Sequence, residues 1–268
     1  MEIMNHKQKT SNRIISNYQF VSIMAYGGMS TIYKGIDIDT NKCVVIKELP
    51  EDYYSDIYQS GYLEHEYSMA YDLIHSSIVR YLKLIQGDDN RSYLISKYFN
   101  GVNAVSFMND HAMTHRQITN LIIKIAKGIE FIHNHGIVHC DIKPDNILIN
   151  SSGVVKIIDF GLAKLINPAF PFLSKRLRGT KKYMAPEQLK NKINTVQTDI
   201  YSFGLTCHEM LSDELPYSRW RLAWEKIVPF EHIIIKALEK RPINRYKTMG
   251  EIINDLLVLK ERLKGEGK

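Results

Sequence analysis

Cysteine is scarce, with three residues in 268, at Cys43, Cys140 and Cys207. The number is odd, the spacings are wide and no CxxC pair occurs, so neither a disulfide framework nor a zinc site is supported, and the thiols read as reduced. Also lacking is any run of about 18 uninterrupted apolar residues, the length a membrane helix needs. The opening stretch MEIMNHKQKTSNR has no apolar segment of the kind a secretory signal carries. The expectation is a cytoplasmic protein without a membrane anchor. No internal repeat and no low-complexity tract interrupts the chain, which argues against a solenoid or a linker array. Apolar residues at 44% and charged residues at 24% sit near soluble averages, which argues against disorder and fibrous architectures. Charge of one sign is only mildly in excess, at +6. That balance fits either affinity for nucleic acid or anionic membrane, or a scattered solvated surface, and its modest size favours the surface; no nucleic-acid partner is expected.

What is present is a change of period partway along the chain. Residues 18 to 49 alternate apolar and polar positions around a glycine pair and a second turn, which predicts three antiparallel strands. A helical stretch follows at about 59 to 74, then strands near 81 to 86 and 92 to 98. Beyond Gly101 the spacing becomes helical: Thr114 with Gln117 forms a capping box, and Ile118, Leu121, Ile122, Ile125, Ile129 and Ile132 make the stripe of a long buried helix ending near Gly136. Short strands are expected at 147 to 149 and 154 to 158, then a long basic loop to about 184. Helices return at 196 to 211, roughly 229 to 239, and a last one capped by Thr248 with Glu251. The layout predicts an α+β fold of two lobes, a sheet-rich one over about 18–98 and a helical one over about 101–264, flanked by an extension at 1–17 and a tail at 265–268. A cleft between lobes is a usual ligand site.

The stretch HCDIKPDN, residues 139 to 146, sets an acid, a base and an amide before the apolar run Ile147-Leu148-Ile149. Thirteen positions after Asn146 comes Asp159-Phe160-Gly161, a second acid across one hairpin. Carboxylate and amide oxygens at strand ends suit Mg²⁺, which prefers hard oxygen ligands and shares phosphate oxygens. The arrangement fits phosphoryl transfer: Asp141 to orient and deprotonate a hydroxyl, Lys143 to neutralise the moving phosphoryl group, Asn146 and Asp159 to hold metal.

With those motifs in order, residues 18 to 264 resemble a eukaryotic-type (Hanks-type) serine/threonine protein kinase of the bacterial branch. The resemblance implies a bilobal kinase fold with a five-stranded antiparallel sheet and one helix in the first lobe. It implies ATP as cofactor with Mg²⁺, or Mn²⁺ in its place, and protein substrates with Ser or Thr acceptors. VVIK, ending at Lys47, resembles the third-strand lysine motif, with Glu66 its helix partner by register from His75 and Glu64 a solvated charge. APE at Ala185-Pro186-Glu187 resembles the end of the activation segment, Asp199 the family's buried helix aspartate, and Arg245 the arginine that ties to Glu187. Ile23, Ile32, Val45 and Leu148 would sandwich adenine, backbone groups of Lys97 and Phe99 would bond it, and Ser96 would limit the back pocket. Tyr26, Gly27, Gly28, Met29, Ser30 and Thr31 form the phosphate-covering loop. There the chain departs from the family, because G-x-G-x-x-G aligns to Ala25-Tyr26-Gly27-Gly28-Met29-Ser30 and only the middle glycine keeps its place, predicting a less pliant loop.

Cys140 stands where many kinases carry an arginine that meets a phosphorylated loop residue, so dependence on such phosphorylation should be weaker. The cysteine is either a packing residue or a redox-sensitive thiol. Lys175, Arg176, Arg178, Lys181 and Lys182 either favour acidic substrates or a phosphorylated loop, or decorate a solvated one. Ser174 is a better autophosphorylation candidate than Thr180, which resembles a threonine that contacts the catalytic loop. Only residues 218 to 228 separate Pro216-Tyr217 from the helix near Pro229, where the family accommodates more. Trp220 and Trp224 lie there, either covering the lobe or forming a partner patch. A homodimer stays open, as do two other functions: a pseudokinase scaffold, suggested by the altered glycines and Cys140, and a small-molecule kinase sharing the core.

Overall fold

The computed structural model describes residues 13–27, 30–54, 61–89, 91–166, 180–190, 194–212 and 228–264. The chain divides into two compact units, Met1–Leu73 with Val79–Phe99, and Ile74–Ile78 with Asn100–Lys268.

The first unit is an antiparallel sheet of β1 (Ile14–Ile15), β2 (Tyr18–Tyr26), β3 (Thr31–Asp37), β4 (Lys42–Glu48), β5 (Tyr81–Gln86) and β6 (Ser92–Lys97) in the order β1-β2-β3-β4-β6-β5. Five strands were expected, and the sixth is β1, within the stretch assigned to the extension. Two residues are too short to show alternation; β1 is defined by its pairing with Tyr18 and Gln19 through a turn in which Ser16 takes φ 51. Helices α1 (Glu51–Tyr54) and α2 (Tyr62–Ala70) follow β4, α2 being shorter than the expected 59 to 74.

Strand alternation gives the sheet two faces. Phe20, Val44, Ile46, Ile85, Tyr93 and Ile95 form the core on one, with Ile15, Tyr18, Tyr33 and Leu82 packed against them. Val45 and Lys47 in β4, with Ser96 and Leu94 opposite them in β6, therefore point to the other face. Gly35 lies opposite Val44, where a Cβ would come within 2.6 Å of Ile46 Cδ1 and 2.9 Å of the Gln19 carbonyl, so only glycine lets β2 and Ile46 close over it.

The second unit holds α3 (Ala104–Asp110), α4 (His115–Asn134), α5 (Pro186–Leu189), α6 (Val196–Ser212), α7 (Glu231–Ala237) and α8 (Met249–Arg262). Strands β7 (Val102–Asn103), β9 (Ile147–Ile149) and β10 (Val155–Ile157) form one small sheet, and β8 (Ile137–Val138) pairs with β11 (Lys164–Leu165). The Thr114–Gln117 capping box opens α4, and its isoleucine and leucine stripe is buried as the period demands. Gly128 lets α4 approach β10, since a Cβ there would meet Ile157 Cδ1 at 2.7 Å and Ser77 Cβ at 3.0 Å. Thr248 accepts from the Glu251 N–H at the start of α8.

Candidate active site

The segment from His139 to Asn146 joins β8 to β9, and a carboxylate from the first turn of α6 sets its course. Asp199 is fully buried; its Oδ2 accepts from the His139 N–H at 2.7 Å and its Oδ1 from the Cys140 N–H at 2.8 Å. His133 Nε2 reaches the same Oδ2 at 2.9 Å. Three nitrogen donors satisfy a charge that would be costly to bury alone. The two backbone bonds hold Cys140 at φ 66, a left-handed conformation that costs a non-glycine residue on the order of 1–2 kcal/mol. His139 donates from Nε2 to the Ile158 carbonyl at 3.2 Å, which leaves Nδ1 to accept the Asp141 N–H at 3.4 Å and so selects the tautomer. Its ring lies 4.8 Å from that of the buried Phe160.

These anchors bring Asp141, Lys143 and Asn146 together. Asp141 Oδ2 accepts from Lys143 Nζ at 2.7 Å and from Asn146 Nδ2 at 2.9 Å, while Oδ1 meets the Thr180 N–H only at 3.5 Å. Lys143 Nζ also donates to the Thr180 hydroxyl at 2.8 Å, tying the segment before APE to the acid. The second amide hydrogen of Asn146 goes to the Asp141 carbonyl at 2.8 Å. Turning that amide over would set its oxygen against two Asp141 oxygens, so the nitrogen faces the acid and Oδ1 is the pole left for a hard cation. Asp159, at φ 65, accepts the Gly161 N–H at 3.3 Å. An amide oxygen and a carboxylate fit Mg²⁺, which usually takes one or two protein oxygens and completes its shell with phosphate and water.

In the first unit Lys47 Nζ donates to Glu66 Oε2 at 2.6 Å and lies 5.6 Å from the Tyr62 ring centre. Tyr81 donates to the other Glu66 oxygen at 2.7 Å, a partner that sequence reasoning missed because a tyrosine in an alternating strand carries no signal of its own. Glu64 is not the partner, but neither is it solvated: one carboxylate oxygen takes the Ser92 hydroxyl and the other is buried without a hydrogen bond.

Ile32 lies opposite Lys47 and Val45 opposite Ser96, so these apolar side chains share the lysine's face. Ile23 does not. Its register partner is Tyr33, which packs on Phe20 at the other face, and the bulge between Ile23 and Ala25 sets Ala25 opposite Ile32. The bulge leaves Met24 as the extra residue between Ile23 and Ala25, and Ile23 itself, assigned to the adenine by resemblance, is paired away from the face of Lys47. Tyr26 and Thr31 face each other across the strand pair, and the Gly27 N–H closes the turn onto the Ser30 carbonyl at 2.7 Å. Gly28 and Met29 lie outside the described residues, as do Ser174, Lys175, Arg176, Arg178, Pro216, Tyr217, Trp220 and Trp224. The Lys97 N–H is taken by the Arg80 carbonyl at 2.9 Å, so a nucleotide would need the carbonyl of Lys97, not its N–H. Phe99 is half-buried, and Leu148, in the second unit, is half-buried in β9 between Lys156 and Asn103.

Arg245 meets Glu187 as a buried fork, Nη1 to Oε1 at 2.6 Å and Nη2 to Oε2 at 2.9 Å. Cys140 is buried, its Sγ held by the Val138 carbonyl at 3.5 Å and the Asn194 amide at 3.3 Å. Burial, then the Asp199 carboxylate, push its thiol up, opposite to what a reactive thiol requires, so the packing alternative prevails over the redox one.

The family model for the protein kinase domain matches residues 18–263. A probable serine/threonine-protein kinase of Clostridium perfringens is 30% identical over 269 residues, covering 93% of this chain and 39% of that protein. Serine/threonine-protein kinase PrkC of Bacillus subtilis is 30% identical over 263 residues, covering 91% and 40%. The chain thus spans about two fifths of the length of these relatives. The crystal structure of the Mycobacterium tuberculosis PknI kinase domain matches with a TM-score of 0.72 at 19% identity, over 93% of this chain and 98% of that one, which shows the fold. With a family match running from residue 18 to residue 263, the chain belongs to the protein kinase domain family.

Proposed function

We propose that this protein transfers the γ-phosphate of MgATP to serine or threonine hydroxyls of proteins. Protein kinases as a family use ATP and a divalent cation and act on proteins. The observation that carries the reading is the set of bonds converging on Asp141, with Lys143 and Asn146 on one carboxylate oxygen and Thr180 bridged through Lys143. Oδ1, engaged only by the long contact to the Thr180 N–H, is the oxygen with room to orient the acceptor hydroxyl and take its proton. Lys143 lies beside it to offset charge on the moving phosphoryl group. Lys47, fixed by Glu66, would hold the α- and β-phosphates, and the loop of Tyr26, Gly27, Gly28, Met29, Ser30 and Thr31 would cover them. Asn146 and Asp159 would hold the metal, Mg²⁺ or Mn²⁺, which when bound supplies charge neutralisation of the phosphates. Met24, Ile32 and Val45 of the first unit would cover adenine, with the Lys97 carbonyl and Phe99 backbone at its edge.

Exposed Lys181 and Lys182, just before APE, support a preference for acidic sequences around the acceptor. Three free cysteines support a reducing compartment such as the cytoplasm. Among the described residues no helix is long and apolar enough to cross a membrane. Retention of Lys47, Asp141, Lys143, Asn146 and Asp159 weighs against a phosphotransfer-dead scaffold, and Lys143 with the APE element weighs against a small-molecule kinase. Purified protein with labelled ATP and Mg²⁺, beside Lys47→Ala and Asp141→Asn, tests the proposal. Label confined to the unmutated protein, on Ser or Thr, is expected; equal label in all three would refute it.

A further inference from the structure

On the face of the sheet opposite Lys47, one guanidinium sits in a slot shaped for it. Arg13, just before β1, donates from Nη1 to Glu48 Oε2 and from Nη2 to Glu48 Oε1, both at 2.7 Å, and from Nη2 to the Tyr93 hydroxyl at 2.6 Å. Its flat head lies 4.5 Å from the Phe20 ring centre and 5.2 Å from that of Tyr93. The backbone is held as well, since the Phe20 N–H donates to the Arg13 carbonyl at 2.9 Å. Gly87 leaves the space that Ile15 fills; a Cβ there would stand 3.1 Å from Ile15 Cδ1 and 2.9 Å from the Tyr93 ring. Each of these contacts lies within the first unit.

Glu48 is 4% exposed, and its only other cationic partner among the described residues is Arg91 at 3.4 Å, which makes a closer bond to Glu51 at 2.9 Å. Arg13 is therefore the main neutralising group for a buried carboxylate, and a buried charge left without its partner must find water or a proton. Glu48 is also the residue after Lys47. Neighbours on a strand point to opposite faces, so if Glu48 turned toward solvent, β4 would rotate at the point from which Lys47 reaches Glu66.

We propose that Arg13 is a positioning residue for Lys47, acting through Glu48 from the far face of the sheet, an inference that rests on the kinase function proposed above. The segment leading into β1 then does more than cover apolar surface: through Arg13 it carries the counter-charge that fixes the end of β4. This role differs from simple stapling, because neutralising Glu48 removes the need for Arg13.

The experiment compares unmutated protein, Arg13→Ala, Arg13→Lys, Glu48→Gln and the double variant Arg13→Ala/Glu48→Gln. Steady-state kcat and the KM for ATP and for a peptide substrate are measured well below each melting temperature. Arg13→Ala is expected to lower kcat about 10- to 100-fold, the scale of a small misplacement of a positioning group, and to raise the KM for ATP while leaving the peptide KM within about twofold. Arg13→Lys should recover part of the loss. The double variant should recover most of it even though β1 still lacks its guanidinium. Unchanged kinetics in Arg13→Ala with only a lower melting temperature would overturn the proposal, as would a double variant no better than Arg13→Ala. If the unmutated protein transfers no phosphate, the kinase proposal has failed. Calorimetric affinity for MgATP across the same variants then decides the Arg13 question by itself, weaker binding in Arg13→Ala restored by Glu48→Gln supporting it and equal affinity refuting it.

Discussion

Lys47 and Glu66 form a buried ion pair at 2.6 Å, and the carboxylate is shared with Tyr81 at 2.7 Å. Two donors on one buried carboxylate fix its orientation as well as its charge. The lysine's own position then follows from a helix, α2, and a strand, β5, that are remote from it in sequence.

Glu66→Gln removes the carboxylate that Lys47 Nζ meets at 2.6 Å, which should cost up to about 3–5 kcal/mol in stability and lower phosphotransfer sharply. Tyr81→Phe removes one hydrogen bond to a charged group, about 1.5–3 kcal/mol, and should reduce the rate less. Thermal melts with initial rates check both. A Glu66→Gln protein with normal turnover would show that the pair is merely structural.

Asp141→Asn keeps the size of the side chain but loses the carboxylate proposed as the base. Turnover should fall by roughly 10² to 10⁴ while affinity for ATP is retained. Rapid-quench phosphotransfer beside equilibrium nucleotide binding separates the two quantities, and an unchanged transfer rate would remove the role assigned to Asp141.

Ser96 lies opposite Val45 on the Lys47 face of the sheet and is half-buried. In the nucleotide pose proposed above, a small residue there would leave space beyond the adenine amine. The protein should accept ATP bearing a bulky N6 substituent, and Ser96→Phe should abolish that use while sparing ATP itself. Failure to consume any such analogue while ATP is consumed would contradict this.

Much of this was legible because it rests on local rules. The Thr114–Gln117 box and the stripe from Ile118 to Ile132 announce α4, and alternation announces β2 to β6. The grouping of Asp141, Lys143 and Asn146 follows from their short spacing in one loop. What escaped depends on distant partners or on broken periodicity. The bulge in β2 pairs Ile23 with Tyr33, away from the face of Lys47. Tyr81, Arg13 and the Ser92–Glu64 contact are pairings across 15 to 35 residues, which no window of sequence contains. Asp199 was placed by resemblance, but the extra bond from His133 was not.

Cys43 is exposed, whereas Cys140 and Cys207 are buried with their thiols pushed up, first by burial and, for Cys140, then by Asp199. At pH 8 one thiol should react quickly with a maleimide and two only on unfolding. Because folding raises both acids above their usual value of 9.0, the unfolded state releases those protons first, and stability should fall as pH climbs past 9.0. Mass spectrometry of the labelled protein and denaturation at several pH values test the two halves. Rapid labelling of Cys140 in the folded state would revive the redox alternative.

Arg245 spends all five of its donors. Two go to Glu187 at 2.6 and 2.9 Å, and the others to the carbonyls of Glu239 at 2.7 Å, Gln197 at 2.8 Å and Lys240 at 3.3 Å, while the guanidinium covers the Tyr201 ring at 4.7 Å. Lysine has the charge but not the fork, so Arg245→Lys should fail to satisfy the three carbonyls and the carboxylate together. Arg245→Ala strands a carboxylate that is 8% exposed and should cost about 3–5 kcal/mol, enough to threaten folding. Glu187→Gln tests the pair more gently: the fork keeps a hydrogen-bond acceptor, and the loss should be smaller. Because Glu187 lies in the first turn of α5, just after Ala185 and Pro186, the expected effect on catalysis is a raised KM for protein substrate, with the KM for ATP unchanged. Urea denaturation ranks the three variants, and kinetics on Glu187→Gln, the one expected to stay folded, separate docking of the acceptor from the chemistry at Asp141. Should Glu187→Gln alter the KM for ATP instead, the fork would be supporting the nucleotide site and not the segment that receives the substrate.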